Sequence, residues 1–280
     1  MGPPSEIGVD DADDPRLAPY RRLTDRALRS GSSGAGEPVA ADAPHGRFLA
    51  EGHYVLERLI AVGAPVLSVL LTERRVEAAR SYLAGYAGPR YVVSEAMASQ
   101  VAGFPVHRGV LAVVARPAPL SIAELADGAA LLVYLDALTD TENVGAIFRS
   151  ASALGVDGVI VGPGTADPLY RRCVRVSSGA SAVLKWVSDQ HGDALARLGA
   201  SGWRRVGLSP EGPTTLEDLA QRPAQPTVLI VGSEGPGLGE HGRSGCDELV
   251  SIPIADGSDS LNVAATAAIA LYRLSMRKLE

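Results

Sequence analysis

The sequence predicts an α/β protein of two modules, the second of them built on a parallel sheet. Short apolar runs recur from Phe48 onward, and segments of helical periodicity alternate with them. In the second half these runs, such as "ALLVYLDA" and "TVLIVGSE", are apolar almost throughout, as in strands covered on both faces. The composition agrees: of 280 residues 46% are hydrophobic and 21% charged, the balance of a folded chain with room for two cores.

Residues 1–44 divide into "DPRLAPYRRLTDRALR", read as a short Arg-rich helix, and "SGSSGAGEPVAADAP", read as a flexible linker. The first module spans 45–117. In it "RFLAEGHYVLERLIAVG" has helical periodicity, "VLSVLLT" reads as a strand and "RRVEAARSYLAG" as a helix. "PRYVVS", "EAMASQVAG" and "GVLAVVA" follow as strand, helix and buried strand. Residues 118–128 form the connection. The second module, 129–280, has strands in "ALLVYLDA", "DGVIVG", "RRVGLS", "TVLIVGSE" and "ELVSIPI", with helices at 143–154, 191–199 and 261–277. In such a sheet ligands bind at the carboxyl ends of the strands.

Charge and cysteine content limit the function. The formal charge is −6, yet residues 45–117 carry eight Arg and five acids and are the net-basic third of the chain, a mild sign of a nucleic-acid partner. Cys173 and Cys246 are the two cysteines, too few for a disulfide framework or a zinc site. The start, "MGPPSEIGVDDADDPR", is acidic where a signal peptide is basic and then apolar, and no apolar run reaches membrane-spanning length. A cytoplasmic protein without metal is expected.

Three loops carry the polar residues. "LDALTDTENVGAIFRSASALG" (135–155) presents Asn143 near a helix start and Arg149 inside a helix of small and apolar residues. Asn143 reads equally well as an N-cap and as a site residue. "TVLIVGSEGPGLGE" (227–240) follows a strand with four glycines around Glu234, which suggests a close backbone approach to a ligand. Gly235 and Gly237 fit the first positions of a dinucleotide fingerprint, but Glu240 stands where its last glycine belongs, and no phosphate-loop Lys follows. "SDSLNVAATAAIALY" (258–272) places Ser260 and Asn262 before an apolar helix, as caps or as site residues. All three loops follow strands and would converge at one sheet edge.

In this order and spacing, "DALTDTENVGAIFRSASALG", "LIVGSEGPGLG" and "SIPIADGSDSLNVAATAAIALY" resemble the three motifs of the SpoU–TrmH family of RNA ribose 2′-O-methyltransferases, over residues 129–277. "FLAEGHYVLERLI" and "HRGVLAVVA" more weakly resemble the L30e-like RNA-binding domain that many members carry in front. The resemblance implies a deep trefoil knot, with "ADGSDSLNVAA" as the threaded crossing. It also implies S-adenosylmethionine as methyl donor, held by Leu208, Ser209, Gly232, Ile252 and Leu261, and a homodimer.

Arg149 is then the main catalytic residue, as base or as stabiliser of phosphate and alkoxide charge, with Asn143, Glu234, Ser260 and Asn262 orienting the reactants. A guanidinium pKa above about 12 favours the electrostatic role. Arg171, Arg172 and Arg175 in "YRRCVRVSSGAS" are assigned to RNA phosphates, the other reading being a solvated helix face. Thr141, Ile254 and Ala264 depart from the family's usual Pro, Met and Ser. The added domain favours ribosomal RNA, specifically 23S; transfer RNA, an antibiotic-resistance methylase and a catalytically lapsed RNA binder are the alternatives.

Overall fold

The computed structural model describes residues 6–21, 42–255 and 260–276. They fall into two compact units, 1–118 with 169–183, and 119–168 with 184–280.

In the N-terminal unit β1 (Glu6–Gly8) and a 3-10 turn at Pro15–Tyr20 precede β2 (Arg47–Glu51), α1 (His53–Ala61) and β3 (Val66–Thr72). A 3-10 turn at Glu73–Arg75, α2 (Val76–Tyr82), β4 (Arg90–Val93), α3 (Glu95–Ala102) and β5 (Val110–Ala115) follow. The five strands lie in the order β1-β4-β3-β5-β2. β2 and β3 each run antiparallel to β5, while β4 runs parallel to β1 and β3. Every residue of β5 is buried, as expected of its unbroken apolar run. Ser94 caps α3 by accepting from Met97 N at 3.2 Å, and Gly103 ends it in the left-handed region.

Three features of this unit differ from the sequence reading. "RFLAEGHYVLERLIAVG" is a strand and a helix rather than one helix, because Gly52 sits between them at φ +101°, a conformation that only glycine adopts easily. The N-terminal extension is partly core: β1 adds to the sheet edge, Leu17 and Tyr20 are fully buried, and the Tyr20 hydroxyl lies 2.7 Å from Ser68 Oγ. Pro15–Tyr20 is a 3-10 turn and not an α-helix; residues 22–29 of that reading and 30–41 of the linker lie outside the described residues. Finally, 169–183 joins this unit, with helix Arg171–Val176 (α6 in chain order) packed on β2.

The C-terminal unit contains α4 (Ile122–Ala126), β6 (Leu131–Asp136), α5 (Thr141–Ala153), β7 (Gly158–Val161), β8 (Trp186–Ser188) and α7 (Ala194–Ala200). It continues with β9 (Arg204–Leu208), β10 (Thr214–Thr215), α8 (Leu216–Ala220), β11 (Thr227–Gly232), α9 (Glu240–Gly245), β12 (Glu248–Ser251) and α10 (Val263–Ser275). Its seven strands are ordered β10-β12-β9-β11-β6-β7-β8, and every pair is parallel. β6 and β11 are buried along their whole length. α4 and α8 both open on capping boxes, Ser121 with Glu124 and Thr215 with Asp218. α10 packs against α5, α8 and β11 through Val263, Ala267, Ala270, Leu271 and Leu274. Burying each Leu there contributes about 1.5–3 kcal/mol. The threaded passage expected over "ADGSDSLNVAA" includes 256–259, which lie outside the described residues.

Candidate functional site

Where β9, β11 and β12 end, side by side in the parallel sheet, the unit opens a cavity of about 850 Å³. Leu208, Ser209, Gly232, Ile252 and Leu261, the residues assigned to the donor, all line it, as do Glu234, Ser260 and Asn262. At Gly232 an added Cβ would overlap the Gly237 carbonyl, so the strand end and the glycine loop touch backbone to backbone. Only glycine allows that approach. Gly235 and Gly237 turn the loop at φ +82° and +71°, and Gly237 N donates to Ser233 O at 3.0 Å, holding Glu234 at the tip.

Asn262 ties the loops together. Its Oδ1 accepts from Ala264 N at 2.9 Å and Ala265 N at 3.2 Å, capping α10. Its Nδ2 donates to Asn143 Oδ1 at 3.0 Å and also to Glu234 Oε1. An Asn amide has two acceptor sites and two donor hydrogens, so all four are in use. Capping and site roles, posed as alternatives by the sequence, are both filled by one side chain. Asn143 is different: the cap of α5 is Asp140, which accepts from Glu142 N at 2.6 Å. Asn143 lies one turn in, buried, with its carbonyl turned to Asn262. Thr141 occupies the first helical position, where the family's usual Pro would cost no hydrogen bond.

Asp136 is a site residue that sequence reasoning missed. It ends β6 with its carboxylate buried, opposite Gly232 in the ladder, and accepts from Gly239 N at 2.6 Å and Gly242 N at 3.2 Å. These bonds fix the back of the glycine loop, while Glu234 and Asn262 fix its front. The signal was available: an acid closing the run "LLVYL" needs buried partners.

The arginines do not gather here. Arg149 does not line the cavity; it is exposed, on the stripe of α5 that also carries Glu142 and Ala153, whereas Asn143, Ile147 and Phe148 form the buried face. Assigned from the sequence to catalysis, Arg149 stands here on the solvent side of α5. Six residues of helix separate it by roughly 120° from Asn143. Arg171, assigned from sequence to RNA phosphate, instead donates to the buried Glu51 carboxylate at 2.6 Å and lies 3.7 Å over the Phe104 ring. Arg172 is exposed and Arg175 half-buried, both in the segment that belongs to the N-terminal unit. Cys246 lies outside the cavity lining, and burial pushes its thiol above its ordinary pKa, which keeps it protonated.

The cavity fits an adenosyl-amino-acid cation. Leu208, Val231, Ile252 and Leu261 offer apolar walls, Ser209 and Ser260 hydroxyls, and Glu234 a carboxylate, in a volume usual for cofactor sites. Among the described residues no helix is long and apolar enough to cross a membrane, and no cluster of His, Cys, Asp or Glu is placed to hold a metal ion.

Residues 130–272 match the family model described as SpoU rRNA Methylase. The chain is similar to an uncharacterized tRNA/rRNA methyltransferase of Mycobacterium tuberculosis, 38% identical over 269 residues, which span 94% of this chain and 90% of the relative. Among solved structures it resembles the SpoU methyltransferase AviRb from Streptomyces viridochromogenes in complex with AdoMet. The TM-score is 0.77 at 25% identity, over 95% of this chain and 99% of that one. An AdoMet-bound rRNA methyltransferase from Sinorhizobium meliloti shares the fold, with TM-score 0.74, 23% identity and 98% of both chains covered.

Proposed function

The chain belongs to the SpoU rRNA methylase family, and from that premise we propose that it methylates a ribose 2′-hydroxyl, in 23S ribosomal RNA. That it is an S-adenosylmethionine-dependent RNA methyltransferase follows from the family and the relatives together. S-adenosylmethionine, when bound, supplies a methyl group already activated by its sulfonium. The chain's own residues must then orient a hydroxyl, handle its proton and stabilise the charge that develops on oxygen.

The observation that carries the ribose reading is the tie of Asn143, Glu234 and Asn262 at the cavity rim. It holds all three motif loops in register around one point, and the cavity lining contains no cysteine of the kind that attacks base carbon. Because the Asn262 amide is saturated, it acts as a positioning residue and leaves contact with the ribose to Ser260 and Glu234. Arg149, exposed and outside the cavity lining, binds a substrate phosphate rather than serving as base.

A second copy of the chain completes the reading. Ala265, Ile269, Tyr272 and Met276 form one exposed apolar stripe along α10, with Leu261 at its head. That stripe is the face of a homodimer. The N-terminal unit acts as an L30e-like module for RNA capture. Such an enzyme works in the cytoplasm.

The test begins with mapping 2′-O-methyl positions in RNA from cells with and without the protein. An RNA fragment bearing one 2′-deoxy nucleotide at the mapped position should then bind nearly as well as the ribose form, since phosphates supply most affinity, and accept no methyl. Methylation of the deoxy fragment there would show a base target and overturn the ribose reading. A mapped position in transfer RNA would replace the substrate and keep the chemistry. Arg149→Ala should retain donor binding and lose transfer by about 10²-fold, the scale of a misplaced substrate.

A further inference from the structure

We propose that the N-terminal unit carries a nucleobase-stacking site at the start of α1, in which Tyr54, backed by His53 and flanked by Arg75 and Arg108, takes an unpaired nucleotide of the RNA substrate. The proposal rests on the reading of the chain as an RNA methyltransferase and adds to it a place, outside the donor cavity, where single-stranded RNA is held.

Tyr54 is the most exposed large hydrophobic side chain among the described residues, at 66%. Its ring is not isolated. The His53 ring lies beneath it, centroids 3.9 Å apart and planes tilted by 39°, and the Tyr82 ring follows at 6.4 Å from His53. Three ring systems from α1 and α2 thus form one layered surface whose outer face is open. Arg108 crosses the strand-to-helix junction beside it: a Cβ built on Gly52 would come within 3.0 Å of Arg108 Cδ and 3.1 Å of Nη1. Arg75 approaches the same loop, its Cγ 2.9 Å from the Cβ position of Gly109, next to Arg108 in sequence. Its charge also bears on the Tyr82 hydroxyl, whose pKa is raised mainly by burial. Four segments therefore converge, all within one unit.

Charge selects the occupant. Neither Arg75 nor Arg108 forms an ion pair among the described residues, whereas neighbouring Arg74 and Arg80 pair with Glu95 and Glu77. Two unneutralised guanidinium groups beside an open aromatic face suit a base with its phosphates, the combination that holds single-stranded nucleic acid. Glu57, one turn along α1 and close enough to bear on Tyr82, supplies a negative boundary that directs the backbone toward the arginines. The surrounding module carries eight Arg against five acids, which favours RNA over an apolar protein partner. A paired base could not enter, since its face is already stacked in the duplex.

The test uses the full chain and an unstructured RNA oligonucleotide of about ten nucleotides, a length within the usual single-strand site sizes. Binding is followed by fluorescence anisotropy at several salt concentrations. Tyr54→Ala should weaken binding roughly 5- to 150-fold, the range that loss of one base stack produces, while Tyr54→Phe, which keeps the ring, should bind as the parent does. Arg108→Ala should reduce the slope of log affinity against log salt by about 0.7, one phosphate contact on a single strand. All three variants should keep the parent's circular dichroism spectrum and its urea transition for the N-terminal unit, which shows that the unit is folded. A duplex of the same sequence should be insensitive to Tyr54→Ala. Parent-like affinity of Tyr54→Ala for the single strand, or a changed oligomeric state with unchanged RNA affinity, would overturn the stacking site while leaving the methyltransferase reading intact. Absence of methyl transfer to any cellular RNA by the parent chain would instead overturn the reading beneath it.

Discussion

In the C-terminal unit every strand pair is parallel, so β6, β9, β11 and β12 all release their chains at the same sheet edge. In the N-terminal unit β2 and β3 each pair antiparallel with β5, and their loops leave at both edges. The first arrangement gathers four loops around one point and produces a cavity with interlocking polar ties. The second spreads its loops and leaves a surface, on which Tyr54 and Arg108 lie open and Arg75 is half-buried. Strand direction thus separates a unit suited to enclosing a small donor from one suited to touching a long, flexible polymer.

The contrast predicts that the units fail differently. Arg171→Ala would strip the buried Glu51 of its partner and cost the N-terminal unit about 3–5 kcal/mol, read as an early transition in urea unfolding. Pairing it with Glu51→Gln should recover much of that loss; no recovery would show that Arg171 matters for something other than the pair. Next in size, Asn262→Asp retains the cap on α10 but replaces both donors with an oxygen facing Glu234. Methyl transfer should fall by about 10²-fold, the scale of a small misplacement of reacting groups, with the urea midpoint little changed. A large stability loss would move Asn262 from the site to the scaffold.

Gly232→Ala should cost about 1–3 kcal/mol through its overlap with the Gly237 carbonyl and abolish donor binding in calorimetry. Intact donor binding would show that the loop can shift without consequence. The smallest effect concerns pH. Asp247, hydrogen-bonded to the Arg205 side chain and backbone, has its pKa lowered in the folded state, mainly by the side-chain bond. Its stabilisation is present above the ordinary Asp value of about 3.9 and is lost as pH falls through the lower folded value. Being partly exposed, the pair is worth at most about 1 kcal/mol. Asp247→Asn should therefore flatten the acid limb of the stability curve slightly and lower stability at neutral pH by at most about 1 kcal/mol.

Much of the C-terminal unit was legible because its signals are local. Long apolar strands, glycines after a strand and an Asn before an apolar helix all announce themselves within a dozen residues. The convergence of Glu234, Ser260 and Asn262 then followed from the parallel sheet. What escaped depended on partners far away in sequence. Arg171 reads as a free cation until Glu51, 120 residues earlier, is placed beside it. β1, β8 and β10, of three, three and two residues, are strands only because a neighbour pairs with them. The exposure of Arg149 escaped for a geometric reason: a helix of small residues has no obvious polar face, and the exposed stripe emerges only from its packing. The segment 169–183 shows the same dependence, since removing 1–117 would strip it of the sheet it covers.

Asn262 meets Asn143 across 119 residues and Glu234 across 28, and the contact exists only once α10 has been seated. Bringing such distant residues together costs loop-closure entropy before the contact returns anything. The cavity for the methyl donor therefore depends on a seated α10, and a molecule without it has nowhere to put the donor. Donor binding can then stabilise the finished fold without rewarding any state before it. The helix at the end of the chain thus serves as the keystone of a pocket whose other walls come from much earlier residues.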